Sequence, residues 1–290
     1  MSRASRPAAA ALFGALLALV PSPPSAGPRE LPPWSFAFPR DHAAHPEFRT
    51  EWWYYTGHLR AGARRFGFQL AFFRVVLDRS AAERASAWAP HSVLFAHAAL
   101  TDEHGRRFRF DERIARPALG LAGADSTRYH VWVDTWSASL APDGRTHRLR
   151  APAHGFGLAL DLDPLKPPAV HGAGGVCRKS DEPGYASHYA SLTRLRASGR
   201  ILLGGEAHAV EGEAWMDHEF MDASLAPGQL GWDWFGLQLE DGRELMLYRM
   251  RRADGTIDPA SGGTLVERDG ETRRLPLHAA GVDRTRTWTS

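Results

Sequence analysis

Disulfides, basic tracts and long apolar spans are all missing from this 290-residue chain. Its single cysteine, Cys177, excludes an internal disulfide, so the fold must rest on a packed core. Lysine is nearly absent too: Lys166 and Lys179 are the only two, and arginine supplies the remaining positive charge. The net charge is +2 and no basic run is present, which argues against a nucleic-acid partner. No apolar stretch reaches the roughly 20 residues that a transmembrane helix needs. A serine hydrolase of the G-x-S-x-G type is excluded, because that motif does not occur. The stretch 218-HEFMD-222 starts like a zinc-protease motif but has Asp222 where the second histidine belongs. His42 and His45 lack a recognisable third ligand, so neither metal nor cofactor is expected. Helical periodicity is scarce as well, with a short helix suggested only over 80-SAAERASAW-88.

What remains is period two. Hydrophobic residues make up 43% of the chain, enough for a sizeable core. In 66-FGFQLAFFRVV-76 the even positions are mostly large and apolar, with Arg74 the exception. The runs 156-FGLALDLD-163 and 129-YHVWVDTW-136 alternate in the same way. Asp-Gly pairs begin at Asp143, Asp241, Asp254 and Asp269 and predict tight hairpin turns with positive φ at both central residues. Many short strands with regular turns predict an all-β sandwich or barrel. A loose internal echo suggests two copies: Trp53-Tyr54-Tyr55 leads to 69-QLAFFR-74, and Trp234-Phe235 leads to 245-LMLYR-249.

The N-terminus reads as a secretory signal over residues 1–26. Arg3 and Arg6 precede the apolar run 8-AAALFGALLALV-19, and cleavage is expected after Ala26, with a retained anchor as the alternative. Either reading places the body of the protein in the periplasm or outside the cell.

The stretch 48-FRTEWWYYTGHL-59 places four aromatic rings in succession. As a strand it sends Glu51, Trp53 and Tyr55 to one face, and Trp52, Tyr54 and His58 to the other. One face is expected to line a ligand cavity and the other to pack on a second barrel or an N-terminal plug. A sandwich-core strand is the alternative. Two further clusters, 211-EGEAWMDHEF-220 and 231-GWDWFGLQL-239, also combine tryptophan with acids. An acid in an aromatic wall resists ionisation and can donate a proton near neutral pH. Aromatic faces attract positive charge. Together these are the parts needed to protonate an alkene and tolerate the resulting cation.

The segments 38-FPRDHAAHPEFRTEWWYYTGHL-59, 66-FGFQLAFFR-74, 213-EAWMDHEF-220 and 231-GWDWFGLQLEDGRELMLYRMRR-252 resemble the AttH-like family, which includes the carotenoid 1,2-hydratases. The resemblance implies two lipocalin-like antiparallel β-barrels packed together, over residues 27–210 and 211–290, the second incomplete. It also implies a hydrophobic, isoprenoid- or lipid-like small molecule as ligand, hydrated or isomerised by acid catalysis. The acid is carried to Asp217, with Asp233 as second choice, and His218 and Glu219 are expected to position it or the water. Glu51, Trp52, Trp53, Tyr55, His58, Trp215, Trp232 and Trp234 are the expected ligand-binding residues. A non-catalytic periplasmic lipid carrier or chaperone is the alternative, and an envelope or membrane-associated partner is a further expectation.

Overall fold

The computed structural model describes residues 28–77, 91–276 and 282. The expected signal at 1–26, the helix over 80–88 and the tail 285–290 lie outside the described residues. A turn of 3-10 helix, Arg40–His42, precedes the first strand. Then β1 (Thr50–Ala61), β2 (Arg64–Val76), β3 (Ser92–Asp102) and β4 (Arg107–Ala115) form a meander. A second meander runs through β5 (Ala122–Ala124), β6 (His130–Val133), β7 (Trp136–Leu140), β8 (His147–Ala153) and β9 (Phe156–Pro164). The short β10 (Ala169–Val170) and β11 (Cys177–Arg178) both pair with β12 (Ala186–Leu203). The long hairpin of β12 and β13 (Glu206–Met221) joins the two meanders, since β12 pairs with β9 and β13 pairs with β1.

The resulting 13-stranded antiparallel sheet curls into a near-barrel, bringing β6 back against β2, β3 and β4. Strict alternation explains why one face closes. Trp53, Tyr55, Phe66, Phe68, Leu70, Phe72, Leu149, Leu160 and Met216 all point inward into one buried cluster. Glycine permits the closest strand approach: a Cβ at Gly57 or Gly212 would collide with the backbone of the neighbouring strand.

The expected second unit is a separate four-stranded sheet. It comprises β14 (Gln229–Gln238), β15 (Glu244–Arg252), β16 (Gly262–Val266) and β17 (Thr272–Pro276). The expected boundary after residue 210 falls inside β13, which stays in the large sheet to Met221. The small sheet lies over the outer face of the large one, with Met246, Tyr248 and Met250 packed against Tyr189 and Trp215. A register shift in β12 between Leu192 and Leu195 turns Thr193 and Arg194 toward Glu244. Glu244 is fully buried and is held by Arg194 at 2.7 Å and Lys166 at 2.8 Å.

All four Asp-Gly pairs do turn the chain, by a different device from the one expected. Only the glycines take positive φ, between 69° and 92°. Each aspartate instead accepts the amide two residues on, as Asp143 does from Arg145 at 2.9 Å and Asp254 does from Thr256 at 2.9 Å. The internal echo is an echo of shape. Both segments are hairpins, but Arg74 is buried on Glu51 whereas Arg249 reaches the Val282 carbonyl.

Candidate functional site: an aromatic cavity between the two sheets

Alternation along β13 divides its residues between two environments. Trp215, Asp217 and Glu219 face the small sheet, while Met216 and His218 face inward. Register places Tyr54 and Ser191 beside Asp217, and Trp52 and Tyr189 beside Glu219. Over this face lies a cavity of about 340 Å³. Trp52, Tyr54, Phe73 and Phe110 line it from the large sheet, Trp232 and Trp234 cover it from β14, and Asp217 and Glu219 reach its wall. Phe108, 62% exposed, marks its open end at edge strand β4. Trp52 and Trp232 lie nearly parallel, 6.2 Å between centroids, and Trp234 meets Tyr54 edge-on at 5.7 Å. Gly236 leaves room for Trp234 to meet Trp215, because a Cβ there would strike both rings. A wider recess of about 440 Å³ at the end of the near-barrel, beside His42 and Leu192, is lined by no carboxylate.

Asp217 is buried in this wall. Its Oδ1 accepts from Ser191 Oγ at 2.5 Å and from Trp215 Nε1 at 2.7 Å. Burial pushes its carboxyl up to about 7, and the charge of Glu219 adds to that. The neutral donors Ser191, Trp215 and Tyr189 pull the other way without prevailing. Glu219, two residues on, has a different partner: Lys179 Nζ lies 2.7 Å from Oε1, and Ser187 donates to the same oxygen. The Lys179 ammonium also sits over the Tyr189 and Tyr248 rings, at 5.1 and 4.7 Å. One strand face therefore carries a carboxyl that keeps its proton near neutrality beside a carboxylate paired to a cation. Environments that differ in this way separate acid from base roles.

Ser191 also lies 2.7 Å from His171 Nε2. The order is aspartate, serine, histidine, whereas a hydrolytic triad needs the histidine in the middle. Ser191 is buried with its hydroxyl committed to Asp217, so a nucleophilic role is excluded.

The other predicted residues are divided between three places. Glu51 is fully buried on the inner face, where it accepts from Arg74 at 3.0 Å, His45 Nδ1 at 2.9 Å and the His45 amide at 3.0 Å. His218 Nε2 is 2.9 Å from the same carboxylate, and His218 Nδ1 donates to the Asp41 carbonyl. Burial alone would raise Glu51; the bonds from His218 and His45 and the charge of Arg74 reverse this and hold it well below the usual carboxylate range. His45, Glu51 and His218 offer their ligand atoms within 4.8 Å of one another, a donor set that a metal could use. Both oxygens of Glu51 already accept from protein groups, so the cluster satisfies itself and fastens residues 41–48 across the end of the near-barrel. His218 is therefore on the opposite face from Asp217, as alternation demands.

Trp53 and Tyr55 also differ from expectation. They belong to the filled interior rather than the cavity wall: Trp53 donates to the His42 carbonyl at 2.9 Å, and Tyr55 bonds Tyr129 and His147. Their face of β1 is the packed one, and the Trp52–Tyr54 face is the hollow one. His58 is exposed at the far end of β1. Asp233 is half-buried on the face of β14 away from Trp232 and Trp234, paired with Arg251 at 3.3 Å. Trp215 supports Asp217 from behind through its indole N–H.

Four residues of the site, Lys179, Tyr189, Ser191 and His171, are not among those expected from the sequence, and Tyr54, expected only to share a face with Trp52, joins them. Tyr54 shares the parity of Trp52 and was legible on that ground. The alternation Ser187, Tyr189, Ser191 marks one polar face of β12, which pairs with β13. His171 follows the two-residue β10 and left no periodic signal.

Comparison with known proteins places this geometry in context. A family model described as AttH-like matches residues 29–290. The crystal structure of an AttH candidate from Nitrosomonas europaea superposes with a TM-score of 0.81 at 34% identity, covering 90% of this chain and 79% of that one. Kievitone hydratase from Nectria haematococca shares the fold, with a TM-score of 0.63 at 12% identity over 87% of this chain and 71% of that one. Among curated protein sequences nothing matches the chain.

Proposed function

We propose, from the premise that this chain belongs to the AttH-like family, that it binds an apolar unsaturated small molecule between its two sheets and adds water to a double bond. The observation that carries the reading is the Asp217 carboxyl, buried on an aromatic cavity wall and held near pH 7. Asp217 gives its proton to one alkene carbon, and the π pair becomes the new C–H bond. The neighbouring carbon is left cationic, facing the rings of Trp52, Tyr54, Trp232 and Trp234. Water attacks that carbon, forming the C–O bond, and its surplus proton returns to the Asp217 carboxylate. Glu219, paired with Lys179, orients the water. Kievitone hydratase, similar in fold, is a hydratase by name.

The experiment is incubation with acyclic polyenes such as squalene, followed by mass spectrometry. Wild type should yield a product heavier by one water. Asp217→Asn should lose about 10²- to 10⁴-fold in rate, the contribution of a placed general acid. Ligand retained by both forms with no product would favour the non-catalytic carrier, for which the same aromatic cavity suffices. The leader-like residues 1–26 support export, testable by finding the protein in a periplasmic extract and by sequencing its mature N-terminus.

A further inference from the structure

The carboxyl of Asp217 terminates a chain of buried hydrogen bonds that begins in the other sheet. Thr264 Oγ1, on β16, lies 2.9 Å from His171 Nδ1. His171 Nε2 lies 2.7 Å from Ser191 Oγ, and Ser191 donates to Asp217 Oδ1. All four residues are buried, with exposures of 3%, 0%, 1% and 4% in that order. We propose that Thr264 and His171 are positioning residues that fix which oxygen of Asp217 carries the proton. The inference rests on the reading of Asp217 as a neutral acid.

Taking Ser191 as the donor to Asp217 fixes the remaining hydrogens. Burial pushes His171 down to about 3, so the ring is neutral and has one donor and one acceptor nitrogen. Ser191 has a single hydrogen and spends it on Asp217. Its oxygen must then accept from His171 Nε2–H. That leaves Nδ1 bare, and the Thr264 hydroxyl donates to it. Trp215 Nε1 is a donor only, and it also points at Oδ1. With both donors on Oδ1, that atom is the carbonyl oxygen of the acid, and the transferable proton sits on Oδ2. Without the Thr264 hydroxyl, the imidazole is free to take the other tautomer. Nε2 would then accept the Ser191 hydrogen, and Asp217 would lose a donor. The other titratable groups on this cavity wall are Glu219 on the same strand as Asp217, Tyr54 on β1, His97 on β3 and Tyr189 on β12. Lys179 acts through Glu219 and on His171. None of these is altered by a change at Thr264.

The test reads Asp217 itself and needs no substrate. The carbonyl stretch of its protonated carboxyl is followed by infrared titration of ¹³C-aspartate-labelled protein and assigned by its absence in Asp217→Asn. Removing a donor that favours the carboxylate raises the midpoint. Thr264→Val and Ser191→Ala should each raise it by about one to two pH units, the worth of one hydrogen bond to a charged acceptor. Thr264→Ser should restore the wild-type midpoint, Thr264→Ala provides the same reading if the valine variant does not fold, and His171→Phe, which removes the competing acceptor Nε2, should keep the Ser191 donor and the wild-type midpoint. A wild-type midpoint in both Thr264→Val and Thr264→Ala overturns the inference and leaves the acid standing. Absence of any band from wild type near neutral pH overturns the acid itself, and the inference with it.

Discussion

Two carboxyl groups lie on opposite faces of the same pair of strands, and both are out of water. Glu51 on β1 is enclosed by Arg74, His45 and His218. Asp217 on β13 meets only neutral donors, with the charge of Glu219 nearby. Burial acts on both in the same direction, and the partners decide the outcome. Glu51 is driven below the ordinary range and becomes a fastening for the chain end. Asp217 is driven up to about 7 and becomes a stored proton. The comparison teaches that a buried acid beside a hollow is a candidate for chemistry only when it lacks a countercharge.

Removing each carboxylate in turn separates the two roles. Glu51→Ala leaves Arg74 and two histidines buried without their acceptor and should destabilise the protein by about 3–5 kcal/mol in denaturant unfolding. Asp217→Asn keeps the shape and removes an unfavourable buried charge, so at pH 8 its midpoint should equal or exceed that of wild type. A loss comparable to that of Glu51→Ala would show that Asp217 is an ordinary structural acid.

The two acids should also pull stability in opposite directions with pH. Asp217 is raised from 3.8 to about 7, so the folded state holds a proton that the unfolded chain releases. Its contribution is complete below about pH 4 and is lost as pH rises through 7. Glu51 is lowered from 4.5, so its contribution is present above that value and fades in acid. Between pH 4 and 7 the stability of wild type relative to Asp217→Asn should fall by on the order of a few kcal/mol, while the buried neutral histidines, His147 and His171 among them, raise both proteins alike.

Smaller effects follow for the cavity roof. Trp232→Ala removes one of two parallel rings and should weaken binding of an apolar fluorescent probe by about tenfold, in line with loss of one or two kcal/mol of aromatic contact. Asp233→Asn, on the far face of β14, should change neither probe binding nor stability beyond about 0.5 kcal/mol, because its pair with Arg251 is partly exposed.

Much of this was legible in the sequence because parity is a local property. Two-residue alternation places Trp215, Asp217 and Glu219 together, and it puts Trp52 with Tyr54. The same rule separates His218 from Asp217, and Asp233 from Trp232 and Trp234. Parity does not say which face of a curled sheet is filled and which is hollow. The interior of the near-barrel is occupied by Trp53, Tyr55, Phe68, Leu70 and their neighbours, so the space arises outside it. Lys179 and His171 reach the site across 40 and 46 positions of chain, from short irregular segments with no period of their own. The use of aspartate side chains as acceptors at the Asp-Gly turns, with positive φ confined to the glycines, is likewise a geometric choice that a dipeptide does not announce.

The buried Glu244 gives the hollow its gauge. Lys166 and Arg194 of the larger body grip this one residue of β15, and Gln238 of β14 bonds the Thr193 and Ala214 carbonyls. These struts set the height of the ceiling above the floor. Because Glu244 is fully buried, shortening Lys166 or Arg194 would leave a charge without its partner, so the spacing of the two sheets and the stability of the fold depend on the same residue.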